Sequence, residues 1–233
     1  YTRTIGRNSR LRHHGDGPDS QIRAIITDKG AMGWGISWTP EEKMPDFIGR
    51  SVAELFDPDI GVIADEAMPI DFALHDLAGI ILDMPVYKMI GAKGNAAVPC
   101  YDGAIYMDDL TPEENPRGTN AVVKSCQDDY EFGFRDFKIK IGRGFQWMEH
   151  VEGFRRDVEI VRSIHQLFPD SRILVDANDG YTCDDMIRFV DEVADCNIYW
   201  LEEPFRENRD HLIQLKDFLS KKNLDIFVAD GEG

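Results

Sequence analysis

Apolar and polar residues alternate near the start of the chain, from Gln21 to Trp38, around an Asp28-Lys29-Gly30 turn. Alternation of this kind, with a turn that contains glycine, predicts a β-hairpin. Between Pro69 and Ile90 the apolar residues instead recur at helical spacing, and Gly91 follows as a stop signal. Strands followed by a helix predict an α+β unit in this part of the chain.

The pattern changes after about Asn95, where short apolar runs alternate with amphipathic segments. The expected strands are 98–101, 137–141, 173–176, 198–202 and 226–229, and the expected helices are 121–132, 157–168, 184–194 and 211–219. This alternation predicts repeated βαβ units and a parallel sheet, in either a doubly wound fold or a (β/α) TIM-type barrel. The barrel is favoured because the chain lacks the glycine-rich phosphate-binding motifs of nucleotide-binding sheets. We therefore expect an α+β domain over 1–95 and a barrel domain over 96–233.

The charge of the chain excludes several kinds of partner. Its 26 Lys and Arg residues against 43 Asp and Glu residues give a net charge of −17, which would repel a nucleic acid. The apolar runs are much shorter than the ~20 residues of a membrane span, and no basic amphipathic helix is predicted. Four cysteines without CxxC spacing are typical of reduced thiols in a cytoplasm. We expect a cytoplasmic protein with no nucleic-acid or membrane partner.

Carboxylates follow three successive predicted strands. Asp176 ends Ile-Leu-Val-Asp, Glu202 ends Tyr-Trp-Leu-Glu, and Glu232 follows the last strand, where Asp230 is an alternative on the same side. The carboxyl ends of barrel strands converge on one mouth, where three close carboxylates repel one another unless a cation lies between them. An all-oxygen set favours Mg²⁺ over zinc. The sequence therefore predicts a magnesium site.

Two lysines alternate with apolar residues in the second expected barrel strand. Period two places Lys138 and Lys140 on one face and Phe137, Ile139 and Ile141 on the other. Adjacent ammonium groups lower each other's pKa, which would allow one lysine to be neutral and act as a base. The alternative is that both lysines only form ion pairs with Asp176 and Glu202. A lysine base beside Mg²⁺ indicates abstraction of the proton α to a carboxylate through an ene-diolate.

Motifs along nearly the whole chain resemble the enolase superfamily and, within it, the mandelate racemase and muconate lactonizing enzyme group. They are Thr27-Asp-Lys-Gly-Ala-Met-Gly-Trp-Gly, Ile70-Asp-Phe-Ala-Leu-His-Asp-Leu-Ala-Gly, Pro85-Val-Tyr-Lys-Met-Ile-Gly, Lys138-Ile-Lys140, Val175-Asp-Ala-Asn178, Trp200-Leu-Glu-Glu-Pro204 and Gly231-Glu232. Members of this superfamily are known for a Lys or His base that works with Mg²⁺, so the chemistry inferred above is also the known chemistry of the family.

The resemblance implies a role for each of these residues. The α+β domain would cap the barrel, and the metal ligands would be Asp176, Glu202 and Glu232. Lys140 would be the general base and Lys138 would tune its pKa and face the substrate carboxylate. The groups near metal and substrate would be Asn178 and Glu203. In the Gly-rich stretch where the family's cap has a specificity loop, the groups for a polar acid sugar would be Arg12, His13 and His14.

The resemblance also implies that the family's further acid and base groups, on the sixth to eighth strands, are absent from this chain. We therefore expect a fragment that ends after the third metal ligand and contains barrel strands one to five. The expected activity is that of a sugar-acid dehydratase that acts on a small carboxylate. The alternatives are a racemase, epimerase or cycloisomerase of the same group, or a non-catalytic carboxylate-binding or inactive module. Assembly into a homo-oligomer is also expected.

Overall fold

The computed structural model describes residues 6–12, 20–95 and 97–230, which form two compact units. Residues 20–95, 97 and 98 form one unit, whereas residues 6–12 belong with 99–230 in the other. The sequence prediction placed everything before residue 96 in the first domain. The segment 6–12 differs from that assignment because its hydrogen bonds reach loops of the second unit rather than the hairpin.

The first unit is built from a hairpin and a helix. Its elements are β1 (Ile22–Ile26), β2 (Met32–Ile36), α1 (Val52–Leu55), β3 (Phe56–Asp57), β4 (Gly61–Val62), α2 (Asp71–Ile81) and α3 (Val86–Met89), with 3₁₀ turns at Glu41–Phe47 and Asp65–Ile70. β1 and β2 pair antiparallel, as the alternation predicts. The Trp34 amide donates to Asp76 on α2, 3.0 Å away, and thereby links the hairpin to the helix. A small core of buried side chains on α1, β3, the 3₁₀ turn Asp65–Ile70 and α2 completes this unit.

The single helix expected between 69 and 90 is wrong, because the structure contains two helices there, α2 and α3. α2 ends at Ile81, and Asp83 takes the left-handed conformation with φ 51°. Pro85 then precedes α3, where its fixed φ suits the start of a helix but not its interior. Gly91 follows the second helix with φ 77°, in the role of a C-terminal stop.

The second unit is a five-stranded parallel sheet with its helices between successive strands. Its elements are β5 (Asp102–Ile105), α4 (Thr119–Phe132), β6 (Phe137–Lys140), α5 (His150–Leu167), β7 (Ile173–Asp176), α6 (Cys183–Glu192), β8 (Ile198–Glu202), α7 (Arg209–Lys221) and β9 (Phe227–Ala229), with 3₁₀ turns at Asp108–Leu110 and Arg143–Phe145. The strands lie side by side in chain order, from β5 to β9. Doubly wound sheets reverse their strand order at a switch point, so this order is that of a (β/α) barrel.

The first barrel strand lies four residues later than expected. Residues 98–101 have the apolar composition of a strand, yet Val98 is 73% exposed, whereas Ile105 at the end of β5 is fully buried. The Asp102 amide donates to the carbonyl of Asp136, 3.0 Å away, and so begins the pairing with β6. Packing against neighbours decides strand position more strongly than local propensity does, and Asp-Gly-Ala-Ile is a poor strand sequence by composition alone.

The barrel helices occupy the expected segments but differ at their ends, above all α5, which begins seven residues before the expected start at 157. The Glu149 carboxylate accepts hydrogen bonds from the amides of Val151 and Glu152, which caps the helix and accounts for the earlier start. None of the described helices combines the length and the apolar composition that a bilayer crossing requires.

A fully buried ion network holds the turn that follows β6. The Arg143 guanidinium pairs with Asp109 at 2.7 Å and with Asp157 at 2.6 Å, and all three side chains have no exposed surface. Arg143 also donates to the carbonyl of Lys140 at 2.9 Å. Asp157 accepts from the backbone amide of Gly142 at 2.8 Å. Burial alone raises the pKa of the Asp157 carboxyl, so this network depends on the guanidinium.

We expect Arg143→Met to lower the free energy of unfolding by about 3–5 kcal/mol, because it leaves the buried Asp157 carboxylate without its counter-charge and Asp109 with only Arg156, 3.4 Å away. Urea unfolding followed by circular dichroism measures this change. The matched control is Arg162→Met, which removes an exposed ion pair with Asp195 and should cost less than about 1 kcal/mol. Equal losses in the two variants would contradict the role assigned to Arg143.

Candidate functional site

Four charged side chains meet at the carboxyl ends of β6, β7 and β8. The Lys138 ammonium lies 2.6 Å from Glu202 Oε1 and 3.3 Å from Asp176 Oδ2. Lys140 Nζ lies 2.5 Å from the same Asp176 oxygen. The parallel register places Lys140 beside Asp176 and Asp176 beside Glu202. The two lysines of β6 and the carboxylates that end β7 and β8, all predicted as site residues, therefore lie in one cluster.

The alternation in β6 explains how two ammonium groups reach this cluster. Phe137, Ile139 and Ile141 have no exposed surface and pack in the core between sheet and helices. Lys138 and Lys140 consequently point to the opposite face, where their side chains are 12% and 9% exposed. A cation at this depth requires anionic partners, which Asp176 and Glu202 supply.

The pKa shifts show how charge is balanced here. Burial opposes ionisation of Asp176, but the ammonium groups of Lys140 and Lys138 hold the pKa of its carboxyl below the ordinary value. The pKa of Glu202 is raised, chiefly by burial and also by the nearby charge of Asp176. The hydrogen bond from Lys138 acts in the opposite direction but does not cancel these effects. Burial lowers the pKa of Lys138, yet the Glu202 hydrogen bond and the charge of Asp176 outweigh it, so that the pKa is raised. The expected lowering is therefore wrong for Lys138, whose ion-pair partners are carboxylates.

The carboxylates of this cluster fit a magnesium site as far as the structure describes it. Asp176 and Glu202 offer only oxygen atoms, the ligand type that Mg²⁺ prefers. Across 6–12, 20–95 and 97–230, no group of three His, Cys, Asp or Glu side chains is placed to hold a metal ion. Glu232, the third predicted ligand, lies outside the described residues.

Asn178 and Glu203 extend the cluster beyond the strand ends. The Asn178 side chain accepts from Lys140 at 3.0 Å and donates to Glu203 Oε2 at 2.8 Å. Both residues are buried and both have positive φ angles, 42° for Asn178 and 40° for Glu203. Non-glycine residues adopt this conformation at a cost, and such strain is concentrated at functional sites.

The segment 6–12 lies over the loops at this edge of the sheet, which sequence reasoning did not predict. Ser9 Oγ is 2.7 Å from the Ala177 carbonyl and donates there. A Cβ on Gly142 or Gly180 would lie 2.8 or 2.7 Å from the Cβ of Ser9, so these glycines make room for the segment. The sequence does contain a sign of this contact, because a glycine directly follows both Lys-Ile-Lys-Ile and Asp-Ala-Asn-Asp, and glycine allows a close approach of another segment.

The residues expected to form a sugar-binding loop are only partly described. Arg12 pairs with Glu113 at 2.6 Å, within the second unit. His13 and His14 lie outside the described residues, and their binding role stays a prediction.

Comparison with known proteins identifies the family. The model of the Enolase C-terminal domain-like family matches residues 121–232. A solved structure of galacturonate dehydratase from Geobacillus sp., the E234A mutant complexed with Mg, superposes with a TM-score of 0.89 at 32% identity, over 99% of this chain and 61% of that one. The chain belongs to the enolase superfamily. The predicted membership in the mandelate racemase and muconate lactonizing enzyme group and the predicted barrel fold are confirmed.

Further comparisons include the same dehydratase with bound sugar acids and an enzyme named for a different reaction. The same dehydratase in complex with D-galacturonate and 5-keto-4-deoxy-D-galacturonate has a TM-score of 0.88 at 33% identity, over 99% of this chain and 62% of that one. A hydrophobic dipeptide epimerase from Citrifermentans bemidjiense is 40% identical over 54% of this chain and 30% of its own length. The regions matched in the curated relatives span 30% to 39% of their lengths.

We expect Gly180→Ala to displace the segment 6–12, because the added Cβ would lie 2.7 Å from Ser9 Cβ and 2.8 Å from the Ala177 carbonyl oxygen. The overlap should cost about 1–3 kcal/mol of stability. It should also speed tryptic cleavage after Arg10 and Arg12, and mass spectrometry measures the rate of that cleavage. Gly94→Ala is the matched control, since nothing lies within 4 Å of its added Cβ. An unchanged cleavage rate in the Gly180 variant would contradict this placement of the segment.

Proposed function

We propose that this enolase superfamily protein is a Mg²⁺-dependent dehydratase of a sugar acid, which abstracts the proton α to the substrate carboxylate. The observation that carries the proposal is the row of Lys140, Asp176 and Glu202, adjacent in register at the carboxyl ends of β6, β7 and β8. This row combines a candidate base with oxygen ligands for a cation within hydrogen-bonding distance.

Lys140 is the proposed base. Its ammonium is held by Asp176 at 2.5 Å and by Asn178 at 3.0 Å, so its position is defined before substrate enters. After losing a proton to solvent, its amine takes the α-proton onto Nζ. The C–H electron pair moves into the carboxylate as an ene-diolate and then forms the C=C bond, while the C–O bond to the hydroxyl on the next carbon breaks. That hydroxyl takes a proton from solvent and leaves as water, and the resulting enol tautomerises to a 2-keto acid. Lys138 remains a cation and faces the substrate carboxylate.

The proposed metal ligands are Asp176, Glu202 and Glu232. Mg²⁺, when bound, neutralises the charge that develops on the substrate carboxylate. The acid sugar as substrate class is supported by the Geobacillus relative, a galacturonate dehydratase that is 33% identical to this chain over 62% of its own length. A homo-oligomer and a cytoplasmic location stay predictions.

Epimerisation or racemisation is the second candidate, because the 40% identical relative is a dipeptide epimerase and the first step would be the same proton abstraction. Cycloisomerisation is a further outcome within the group, as in the D-galactarolactone cycloisomerase of Agrobacterium fabrum, 26% identical over 58% of this chain. A carboxylate-binding module without catalysis is the alternative from another class.

We expect the full-length protein with Mg²⁺ to convert at least one member of a panel of aldonic, aldaric and uronic acids to a keto product. Mass spectrometry detects the loss of water, and proton NMR in D₂O detects exchange at the α-carbon. Lys140→Met should abolish both, whereas Lys124→Met, on an exposed helical pair with Asp128, should leave both unchanged. Exchange without dehydration favours the epimerase. The absence of both signals, with these acids and with a set of dipeptides tested in the same way, favours the binding module.

We expect Glu202→Gln to weaken Mg²⁺ binding by at least about tenfold, because it removes one of the anionic ligands. Isothermal titration calorimetry of the metal-free protein with MgCl₂ measures the change without any substrate. Glu207→Gln, an exposed residue in the loop after β8, is the control and should bind Mg²⁺ as the unaltered protein does. Unchanged affinity in the Glu202 variant would exclude that residue from the metal site.

A further inference from the structure

Arg10 lies at the outer end of a continuous chain of polar contacts that reaches Lys140. Its Nη2 atom is 3.5 Å from Glu203 Oε2, and the same oxygen accepts from the Asn178 amide at 2.8 Å. The side-chain oxygen of Asn178, Oδ1, in turn accepts from Lys140 Nζ at 3.0 Å. Four residues from four separate parts of the sequence are thereby linked in a single row.

The Glu203 carboxylate in this row of contacts depends on a counter-charge. The Glu203 side chain is 7% exposed, and Arg10 is the described residue that forms an ion pair with it. Arg10 is itself anchored by Asp179, whose Oδ2 lies 2.8 Å from its Nη1. Two carboxylates on neighbouring loops are therefore bridged by one guanidinium, whose rigid fork of donors suits such bridging.

The direction of the Asn178 amide follows from Glu203. With its NH₂ group toward the Glu203 carboxylate, Asn178 presents its oxygen to the Lys140 ammonium. The reversed amide would place its donors against the ammonium and its oxygen against the carboxylate, which is unfavourable at both ends. The orientation that serves Lys140 therefore requires the Glu203 side chain to stay in place.

The backbone around Arg10 is fixed firmly enough to transmit this constraint. The Gln146 side chain donates to the carbonyls of Ser9 and Arg10, each at 2.7 Å. The Arg10 amide donates to the Asn8 side chain at 2.9 Å. Ser9 in turn donates to the Ala177 carbonyl, next to Asn178. Arg10 is thus presented to the loops by a segment held on both sides.

We propose that Arg10 is a positioning residue for Lys140, acting through Glu203 and Asn178, and this inference rests on the proposed function of Lys140 as the base. Arg10 does not need to contact the substrate for this role. Its loss leaves Lys140 paired with Asp176 but frees the Asn178 amide to rotate. The ammonium then loses one of the two hydrogen bonds that define its position, and the amine no longer points reliably at the α-carbon.

The kinetic test compares Arg10→Met with Arg155→Met, an exposed residue on α5. We expect Arg10→Met to lower kcat by about 10- to 100-fold with little change in KM, because misplacement of the base affects the chemical step. Arg155→Met should leave both constants unchanged. A raised KM with unchanged kcat would overturn the proposal, since it would mean that Arg10 binds substrate directly.

A double-mutant cycle tests the route through Glu203. Glu203→Gln should lower kcat by itself, and adding Arg10→Met should then lower it by less than about twofold further, because both changes interrupt the same chain. Multiplicative losses in the double variant would overturn the route. Thermal unfolding and Mg²⁺ affinity of each variant, unchanged from the parent, separate positioning from general damage to the fold.

A second readout does not depend on turnover. In protein labelled with [¹⁵Nζ]lysine, the Lys140 ammonium signal is assigned by its disappearance in Lys140→Met. We expect this signal to shift or broaden in Arg10→Met and to stay unchanged in Arg155→Met. An unchanged Lys140 signal in Arg10→Met would overturn the positioning role whatever the kinetics. If no acid is turned over but the signal responds, the proposed activity fails and the positioning role stands.

Discussion

The parallel register of β6, β7 and β8 is the constraint on which the candidate site depends. It places Lys140, Asp176 and Glu202 side by side at one edge of the sheet, although they come from separate βα units. Parallel strands in a barrel all end at the same mouth, so a polar residue at a strand end meets the polar end of its neighbour. A shift of one residue in any strand would turn its side chain into the core.

Charge balance follows from that register. Four buried or partly buried ionisable groups are tolerable because each lysine has a carboxylate within hydrogen-bonding distance. The balance is uneven, since the pKa of Asp176 is lowered while that of Glu202 is raised. Asp176 and Glu202 present only oxygen atoms as ligands, which suits a divalent cation, and the proposed chemistry uses such a cation.

The second support for the site comes from outside the barrel strands. The buried network around Arg143 holds the turn after β6 and bonds to the carbonyl of Lys140. The segment 6–12 holds the loops after β7 and β8 and brings Arg10 to Glu203. Lys140 is therefore constrained through its backbone by one set of contacts and through its ammonium by another.

Local patterns were sufficient to predict much of this structure. Period-two alternation identified the face of β6 that carries Lys138 and Lys140, and apolar runs located β6 to β9, because both signals depend on residues close together in sequence. The break between α2 and α3 was also readable in principle, since Pro85 lies within the expected helix, but the strength of the apolar period concealed it.

Tertiary structure alone decided the remaining features. Packing moved the first barrel strand to Asp102–Ile105, the carboxylates raised rather than lowered the pKa of Lys138, and the segment 6–12 joined the barrel unit. The hydrogen bond between Ser9 and Ala177 joins residues 168 positions apart, a separation at which no local period carries information. The sequence by itself determined which residues could form the site, because alternation and strand ends are local. Their partners, and hence their charge states, depend on contacts that exist only in the folded chain.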